Sequence, residues 1–288
     1  MTLEQLRIFI AVAERQHMTE AALALNLTQS ATSAAIAALE ERHGIRLFDR
    51  IGRRIELTEL GRAFLPEARA VIARADEAAG LLSASAGLMR GRLRLAASQT
   101  AANYWLPPLM CRFRDRFPGI ELTLRILNTR DTCQAVAEGA ADLGVIEDRV
   151  DAPGLRLFPA ARDQMVLIAA PGLQGAAVAP ATARWVMREK GSGTRAILEQ
   201  ALSAAGIGEV TVTLELPSNE AVRAAVAAGA GISALSRSVV EASLADGQLV
   251  ALPFDLPARE FLVVGAVQRH VSRAADAFLR HLIPDQGA

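Results

Sequence analysis

Polar residues gather where predicted strands end and helices begin, in the C-terminal two thirds of the chain. Two sets have this placement: Ser98, Gln99, Thr100, Asn128, Thr129 and Glu147 after the first three strands, and Ser192, Gly193, Thr194 and Asn219 at the starts of later helices. Hydroxyl groups and the free N–H groups of a helix start bind anions. Helix capping explains any single position equally well, but their convergence predicts a site for a small anion, such as a sulfur oxyanion, a carboxylate or a phosphorylated metabolite.

One of these segments also allows a different function. Gly191–Ala196 fits the GxGxxA pattern of a dinucleotide-binding turn, and Glu215 follows about twenty residues later. The charged segment Arg188–Lys190 separates the glycines from the apolar strand, whereas a true fingerprint turns tightly. An NAD(P)-dependent enzyme is therefore one alternative function. A non-regulatory small-molecule-binding protein, which would not need residues 1–60, is another.

Other reactive side chains form no recognisable site. The histidines, His17, His43, His270 and His281, are scattered without metal-ligand spacing, and no GxSxG nucleophile motif is present. Cys111 and Cys133 lie in predicted helices without a CxxC spacing, which favours buried structural thiols over a redox pair. We predict no catalytic residue, no metal site and no cofactor.

The first sixty residues have the pattern of three helices. Thr2 and Gln5 are spaced as a capping box for a helix that runs to about Arg15. A second helix is expected from an N-cap at Thr19 to near Asn26, a residue that tolerates the left-handed conformation of helix ends. The function of these two helices depends on the third helix and on the hairpin that follows it.

The third predicted helix starts at Thr28 and carries small polar side chains on its exposed face. Its inward stripe comprises Ala31, Ala35 or Ile36, and Leu39. Gln29, Ser30 and Ser33 occupy the other face, where glutamine is suited to pair with adenine and serine with several bases. Two short helices, a tight turn and this third helix are typical of a helix-turn-helix that enters the major groove.

A wing is predicted next. The segments 45–48 and 55–57 alternate like a hairpin, and Arg50, Arg53 and Arg54 lie between them. Arginines in such a hairpin bind phosphates or the minor groove. We therefore predict a winged helix-turn-helix DNA-binding domain over residues 1–58.

A long helix is expected to connect the two parts of the chain, over residues 59–88. Thr58 is its N-cap, and apolar residues then recur every three or four positions: Leu60, Phe64, Ala68, Val71 or Ile72, Ala75, Ala79 and Leu82. Such a stripe pairs with a second copy in a dimer or packs on its own chain. Pro66 should kink the helix or end its first part, and Ser83–Gly87 is expected to form a hinge.

From residue 91 onward, strands alternate with helices, which predicts an α/β domain with a mostly parallel sheet. We expect two lobes with a ligand cleft between them. Lobe I covers about residues 91–161 and 266–288, lobe II about 162–265, and the last helix, Ser272–Leu282, returns to lobe I.

Composition supports a cytoplasmic protein. Apolar residues make up 51% and charged residues 22% of the chain, no apolar run reaches the roughly 18 residues of a membrane span, and no secretory signal is recognisable at Met1–Glu4. The net charge is zero, so contact with DNA phosphates requires a local basic patch.

Taken together, these residues resemble the LysR-type transcriptional regulators. The N-terminal resemblance rests on Leu3, Leu6, Phe9, Ala21, Ala22, Leu25, Leu27–Ser33, Ile36, Leu39, Glu40, Gly44, Leu47, Phe48, Arg50, Leu57, Thr58 and Gly61. The C-terminal, looser resemblance rests on Gly91–Leu95, Leu106, Pro107, Phe113, Phe117–Gly119, Asp142–Gly144, Gly229, Gly231 and Ile232. It implies binding to double-stranded DNA, a two-lobed effector domain similar to type 2 periplasmic binding proteins, and a homodimer or homotetramer.

The recognition helix departs from the family pattern at four positions. The family usually has an apolar residue where Thr32 stands, and often arginine, glutamine or lysine where Ala34, Ala35 and Ala37 stand. Losing these side chains removes candidate phosphate and base contacts. We therefore expect one domain to bind weakly, with the wing arginines and several domains per assembly supplying the affinity.

Overall fold

The computed structural model describes residues 1–51, 54–84, 91–147, 150–173, 179–267 and 271–283. The chain divides into two compact units: the first comprises Met1–Gly91, Glu138–Ala140 and Arg269–Arg273, and the second comprises Arg92–Ala137, Ala141–Gln268 and Ala274–Ala288. Within the described ranges, no single helix has the length and apolar composition to cross a membrane; one pair of helices bent by 106°, Met18–Ala24 with Gln29–His43, passes that test only jointly.

The first unit has the predicted winged helix-turn-helix and long helix. Its elements are α1 (Leu3–Arg15), α2 (Met18–Ala24), α3 (Gln29–His43), β1 (Phe48–Ile51), β2 (Arg54–Leu57) and α4 (Glu59–Ala84). Apolar side chains from these elements form one core, which includes Leu6, Phe9, Val12, Ile36, Leu39 and Leu47. The Thr2–Gln5 capping box is confirmed, since each backbone N–H donates to the other side chain, at 2.9 and 3.1 Å.

The N-cap of helix α2 lies two residues earlier than predicted. Its N-cap is His17, whose Nδ1 accepts from the Glu20 N–H at 3.4 Å, so the prediction of Thr19 is wrong. A histidine ring nitrogen performs the role that the sequence assigned to a hydroxyl, and Thr19 lies inside the helix. Asn26 has a positive φ of 55°, as expected for the residue that ends this segment.

Helix α3 is capped by Thr28 as predicted, with Oγ1 accepting from the Ala31 N–H at 3.2 Å. Its inward face differs, because Ala31 is exposed while Thr32 is fully buried. The Thr32 hydroxyl donates to the Thr28 carbonyl at 3.1 Å. That bond satisfies the only polar group of the side chain, which allows a polar residue at the core position where the family has an apolar one.

The wing is a tight hairpin in which Arg50 pairs with Ile55 and Arg54 with Ile51. Arg50 and Arg54 therefore belong to the strands and not to the connection between them, which corrects the prediction. Arg53 lies outside the described residues. The hairpin leads directly into α4, where Thr58 Oγ1 accepts from the Gly61 N–H at 2.9 Å.

The apolar stripe of α4 is divided between two environments. Phe64, Ala68 and Ile72 pack on the core of their own unit, where the Phe64 and Phe9 ring centroids are 5.2 Å apart. Leu60 and Val71 instead remain 46% and 42% exposed. Packing on its own chain thus accounts for part of the stripe. Pro66 lies inside the continuous helix and does not end it.

The predicted hinge is only partly described. Ser83 and Ala84 still belong to α4, and residues 85–87 lie outside the described residues.

The second unit has two lobes. Its elements are β3 (Gly91–Ser98), a π-helical turn (Ala101–Trp105), α5 (Leu106–Arg116), β4 (Ile120–Leu127), α6 (Thr129–Ala137), β5 (Leu143–Glu147), β6 (Leu155–Asp163), β7 (Met165–Ala169), a 3-10 turn (Pro171–Leu173), β8 (Arg184–Arg188), α7 (Gly193–Ala204), β9 (Thr211–Leu216), α8 (Asn219–Ala227), β10 (Ser233–Ser236), α9 (Arg237–Ala245), β11 (Val250–Leu252), β12 (Arg259–Ala266) and α10 (Arg273–Leu282). Lobe I contains a five-stranded sheet of order β4-β3-β5-β12-β6. Lobe II contains the sheets β10-β7-β11 and β8-β9.

The five-stranded sheet of lobe I is mixed and the sheet β10-β7-β11 is antiparallel, so the prediction of a mostly parallel sheet is wrong. β3 and β5 are parallel, as are β8 and β9, but β12 runs antiparallel to β5 and β6. The chain passes from lobe I to lobe II after β6 and returns through β12, and the returning strand must run in the opposite direction. All of β12 pairs in lobe I, so lobe II ends before Arg259 and not near residue 265 as predicted.

The last helix packs on lobe I. Phe278 of α10 meets Phe113 of α5 edge to face, with ring centroids 4.9 Å apart. Helix α6 begins at Thr129, because Asn128 caps it through Oδ1, which accepts from the Asp131 N–H at 2.9 Å.

The two cysteines differ in exposure. Cys111 is exposed, so the expectation of a buried thiol is wrong at that position, and Cys133 is half-buried. Burial raises the pKa of the Cys133 thiol.

Candidate functional sites

The start of α3 presents the predicted polar surface. Thr28, Gln29 and Ser30 are exposed, and Ser33 is half-buried. Thr28 Oγ1 lies 3.1 Å from Ser30 Oγ and also caps the helix, so this hydroxyl has a structural task. The 106° bend between α2 and α3 is within the range of a helix-turn-helix.

Charge in the winged domain is balanced. Residues 1–58 hold seven arginines and seven acidic residues. The domain as a whole therefore carries no excess positive charge.

In the second unit, three predicted residues meet at one edge of the lobe I sheet. Ser98 ends β3, Thr129 follows β4 and Glu147 ends β5, and these three strands are neighbours. Each residue is at most 3% exposed. Ser98 Oγ, Thr129 Oγ1 and Glu147 Oε1 have no hydrogen-bond partner among the described residues. Buried polar atoms are normally paired, so these three atoms form a candidate binding site.

The N-terminus of α7, from lobe II, lies against this edge. A Cβ at Gly193 would be 2.7 Å from Thr129 Oγ1 and 2.8 Å from the Glu147 carbonyl oxygen, so only glycine permits this approach. The preceding residue, Ser192, is buried but makes no side-chain capping bond. The first turn of α7 therefore has no side-chain cap for its N–H groups.

Glu147 is held from both lobes. Thr194 Oγ1 of lobe II donates to Glu147 Oε2 at 3.1 Å, and Arg259 Nη1 lies 3.3 Å from the same oxygen. Burial alone would raise the pKa of the Glu147 carboxyl, but Arg259, the hydroxyls of Thr100 and Thr194, and Arg188 together hold that pKa below its ordinary value. Glu147 is therefore ionised at neutral pH.

Arg259 is a buried residue that sequence reasoning missed. It is 1% exposed, and its Nε donates to Asp163 Oδ2 at 2.5 Å while its Nη2 donates to Thr100 Oγ1 at 3.3 Å. It is the first residue of β12, an antiparallel strand, and so begins at the edge where the parallel strands end. The strand-end rule would have found it had the direction of β12 been known.

Arg188 is the second missed residue. Its guanidinium donates to both carboxylate oxygens of Glu189, at 2.8 and 2.9 Å, and to Asn219 Oδ1 at 2.5 Å. Asn219 Nδ2 in turn donates to Thr100 Oγ1 at 3.1 Å, which links lobe II to lobe I. Arg188 ends β8, so its position matched the strand-end rule, but the sequence analysis treated it only as a charged spacer.

Other predicted residues join the lobes or cap helices. Gln99 donates to the Pro217 carbonyl at 2.8 Å and accepts from the Asn219 N–H at 2.9 Å, so it bridges the lobes. Nearby, Tyr104 Oη lies 3.4 Å from Glu220 Oε1. Asn128 caps α6, which is the ordinary explanation that the sequence left open for it.

The dinucleotide pattern has the right topology and the wrong surroundings. β8, α7 and β9 form a parallel βαβ unit, but Glu215 is paired with Arg195 at 2.5 Å. Within the described ranges, no group of three or more histidine, cysteine, aspartate or glutamate residues is arranged to hold a metal ion.

Two family models match this chain. Residues 3–62 match the bacterial regulatory helix-turn-helix protein of the lysR family, and residues 86–286 match the LysR substrate binding domain. The chain belongs to the LysR family. It is a LysR-type transcriptional regulator with an N-terminal helix-turn-helix and an effector-binding domain.

Relatives of this LysR-type regulator match it over nearly its whole length. The HTH-type transcriptional regulator YeiE of Escherichia coli K12 is 36% identical over 295 aligned positions, which cover 99% of this chain and 98% of the relative. CbnR in complex with its target DNA has a TM-score of 0.67 at 23% identity and covers 98% of this chain and 99% of that chain. The similar proteins named here are regulators and not enzymes, so the NAD(P)-dependent enzyme is the wrong alternative.

A solved effector domain is also similar. The regulatory domain of CcmR from Synechocystis PCC6803, in complex with 2-PG, is 31% identical with a TM-score of 0.62, and the match covers 69% of this chain and all of that domain. The helix-turn-helix match over residues 3–62 excludes the second alternative, a binding protein without a regulatory role.

Proposed function

We propose that a small anion binds in the cleft of the second unit and controls how this LysR-type regulator acts on DNA. One observation carries this proposal: Ser98 and Thr129 each have a buried hydroxyl without a hydrogen-bond partner among the described residues, at the sheet edge against which the start of α7 packs. Free N–H groups and the helix dipole favour a negative charge there. The similarity to CcmR, whose regulatory domain binds 2-PG, supports the same class of effector.

The remaining predicted effector residues surround this position. Thr100, Thr194 and Asn219 form the buried network with Arg188 and Arg259, and Gln99, Asn128, Ser192 and Gly193 shape its edges. The two arginines balance much of the negative charge of the buried carboxylates. We propose that this network senses the effector and holds the two lobes together.

We propose that DNA is contacted through the start of α3 and the wing. Gln29 and Ser30 would contact base edges, Ser33 would support them, and Thr28 would fix the helix start. Arg50, Arg53 and Arg54 would bind the DNA backbone or the minor groove. Because Ala34, Ala35 and Ala37 offer no long side chains, each domain would bind weakly, and paired domains would supply the affinity.

We further propose a homodimer through the exposed part of α4, assembling into a tetramer, and a cytoplasmic location where the regulator meets chromosomal DNA. Leu60 and Val71 are exposed apolar residues on that helix. Large exposed apolar side chains in a helical stripe are typical of a helix-pairing surface.

A thermal-shift panel of small anions tests the effector proposal. Binding to the folded state raises the melting temperature with the logarithm of ligand concentration over Kd. Ser98→Ala and Thr129→Val remove hydroxyls that have no protein partner, so the variants should keep their stability but lose the anion-dependent shift. Ser203→Ala, at an exposed serine of α7, is the matched control. A panel in which no anion shifts the wild-type protein would refute the proposal.

A further inference from the structure

The two carboxylate oxygens of Glu147 have different surroundings. Oε2 accepts from Thr194 Oγ1 and lies 3.3 Å from Arg259 Nη1. Oε1 is equally buried but has no partner among the described residues. The residue is 2% exposed, so bulk water does not reach this oxygen. One oxygen of this buried carboxylate therefore lacks a hydrogen-bond partner among the described residues.

Chemistry limits what can pair with that oxygen. An ionised carboxylate accepts hydrogen bonds and donates none, and leaving a buried acceptor unpaired is costly. A further acceptor, such as the bare oxygen of an anion, would be repelled by Glu147. The group that faces Oε1 must therefore carry a hydrogen.

The neighbouring hydroxyls have no such restriction. Ser98 Oγ and Thr129 Oγ1 can donate as well as accept, and the uncapped N–H groups of α7 can only donate. The position that a Cβ of Gly193 would occupy is 2.7 Å from Thr129 Oγ1 and 2.8 Å from the Glu147 carbonyl oxygen, so the start of α7 packs directly against the residues that carry the hydroxyl and the acceptor. The site thus has an anion-binding side and an acceptor side.

We infer that the effector carries a hydrogen-bond donor, a hydroxyl or an ammonium group, next to its anionic group, and that Glu147 selects for that donor. Hydroxy acids and amino acids belong to this class, and fully deprotonated oxyanions without a donor do not. The inference rests on the proposed function, because it concerns the same cleft and the same anion.

Matched acids test the inference on the full-length wild-type protein. The acid group that gives the largest shift in the anion panel sets the series: acetate, glycolate and glycine for a carboxylate, or methylphosphonate, hydroxymethylphosphonate and aminomethylphosphonate for a phosphonate. In calorimetric titrations, the hydroxyl- or amino-bearing member should bind about tenfold tighter or more, the factor that one hydrogen bond to a charged group contributes. Equal affinities across the series would overturn the inference.

Glu147→Gln provides the second measurement. The amide oxygen should remain on Thr194 and Arg259, which only donate to it, so the NH₂ group takes the place of Oε1 and turns an acceptor into a donor. The preference should then disappear or reverse in favour of the plain acid. Glu241→Gln, at an exposed glutamate of α9, should leave it unchanged. A preference retained in Glu147→Gln would contradict the inference even if the wild-type protein shows one.

The two proposals fail in different ways. If anions bind, Ser98→Ala abolishes the binding and the series shows no preference, then the anion site stands and the role of Glu147 is wrong. If no anion binds the wild-type protein, the proposed effector class is wrong, and the inference about Glu147 falls with it.

Discussion

Gly193 and Thr129 lie so close that a Cβ on Gly193 would come within 2.7 Å of Thr129 Oγ1. Gly193 is the first residue of α7 in lobe II, and Thr129 is the first residue of α6 in lobe I. Their contact therefore joins the two lobes. Gly193 is not among the glycines that have a positive φ. The backbone would therefore tolerate alanine at this position, and only the contact with Thr129 and its neighbours disfavours it.

Gly193→Ala should therefore hold the lobes apart and weaken effector binding. We expect the anion-dependent shift of the melting temperature to fall strongly, while the shift remains in Gly208→Ala. Gly208 has open space around its Cβ position and is the matched control. An unchanged anion-dependent shift in Gly193→Ala would show that this contact does not govern binding.

Arg259→Met should destabilise the second unit. It would leave Glu147 and Asp163 buried without their cation, and breaking such a buried pair costs about 3–5 kcal/mol. Arg280→Met removes an exposed arginine that pairs with Asp276, for which we expect at most about 1 kcal/mol. Urea unfolding of both variants measures the difference, and similar losses would contradict the central role of Arg259.

The stability of the protein should depend on pH through Glu147. Its folded-state pKa is lowered, so its contribution is present above the ordinary glutamate pKa and is lost as the pH falls through the folded-state value. We expect the free energy of unfolding of the wild-type protein to decrease more steeply below about pH 4 than that of Glu147→Gln. Urea unfolding across this range, with Glu241→Gln as the control, checks the sign; parallel curves for wild type and Glu147→Gln would argue against it.

Gln29→Ala should weaken binding to the operator and relax the preference at one base pair. A bidentate pair between glutamine and adenine contributes about 1–3 kcal/mol of discrimination. Gln248→Ala, at an exposed glutamine of the second unit, should bind like the wild type. Quantitative footprinting on operator variants measures both effects. A loss of affinity that is uniform across sequences would indicate a phosphate contact instead.

The double substitution Leu60→Glu and Val71→Glu should dissociate the assembly. Charges on both exposed apolar positions of α4 would have to be buried if that helix pairs with a second copy. Leu23→Glu is the control, because Leu23 is 71% exposed on α2 and apart from the stripe. Sedimentation velocity would show a smaller species for the double variant alone. If the assembly persists, α4 is not its interface.

Local chemistry explains which parts of this structure were predictable. The Thr2–Gln5 capping box, the Thr28 and Thr58 caps and the left-handed conformation of Asn26 after α2 all depend on nearby residues, and each was predicted. The failures are of a different kind. Thr32 can be buried because its hydroxyl donates a hydrogen bond to the Thr28 carbonyl one turn earlier. The N-cap of α2 is a histidine, whereas the capping rules favour hydroxyl and carboxylate side chains.

The sequence by itself determined the family, the order of the elements and the strand ends where polar groups collect, because periodicity, caps and motif spacing are local. Only the tertiary structure decided which of those polar groups are unpaired. Arg259 reaches Glu147 and Asp163 from 112 and 96 positions away along the chain, and β12 brings it there by running antiparallel. A buried acceptor such as Glu147 Oε1 is defined by what does not contact it, and that depends on how the whole domain packs.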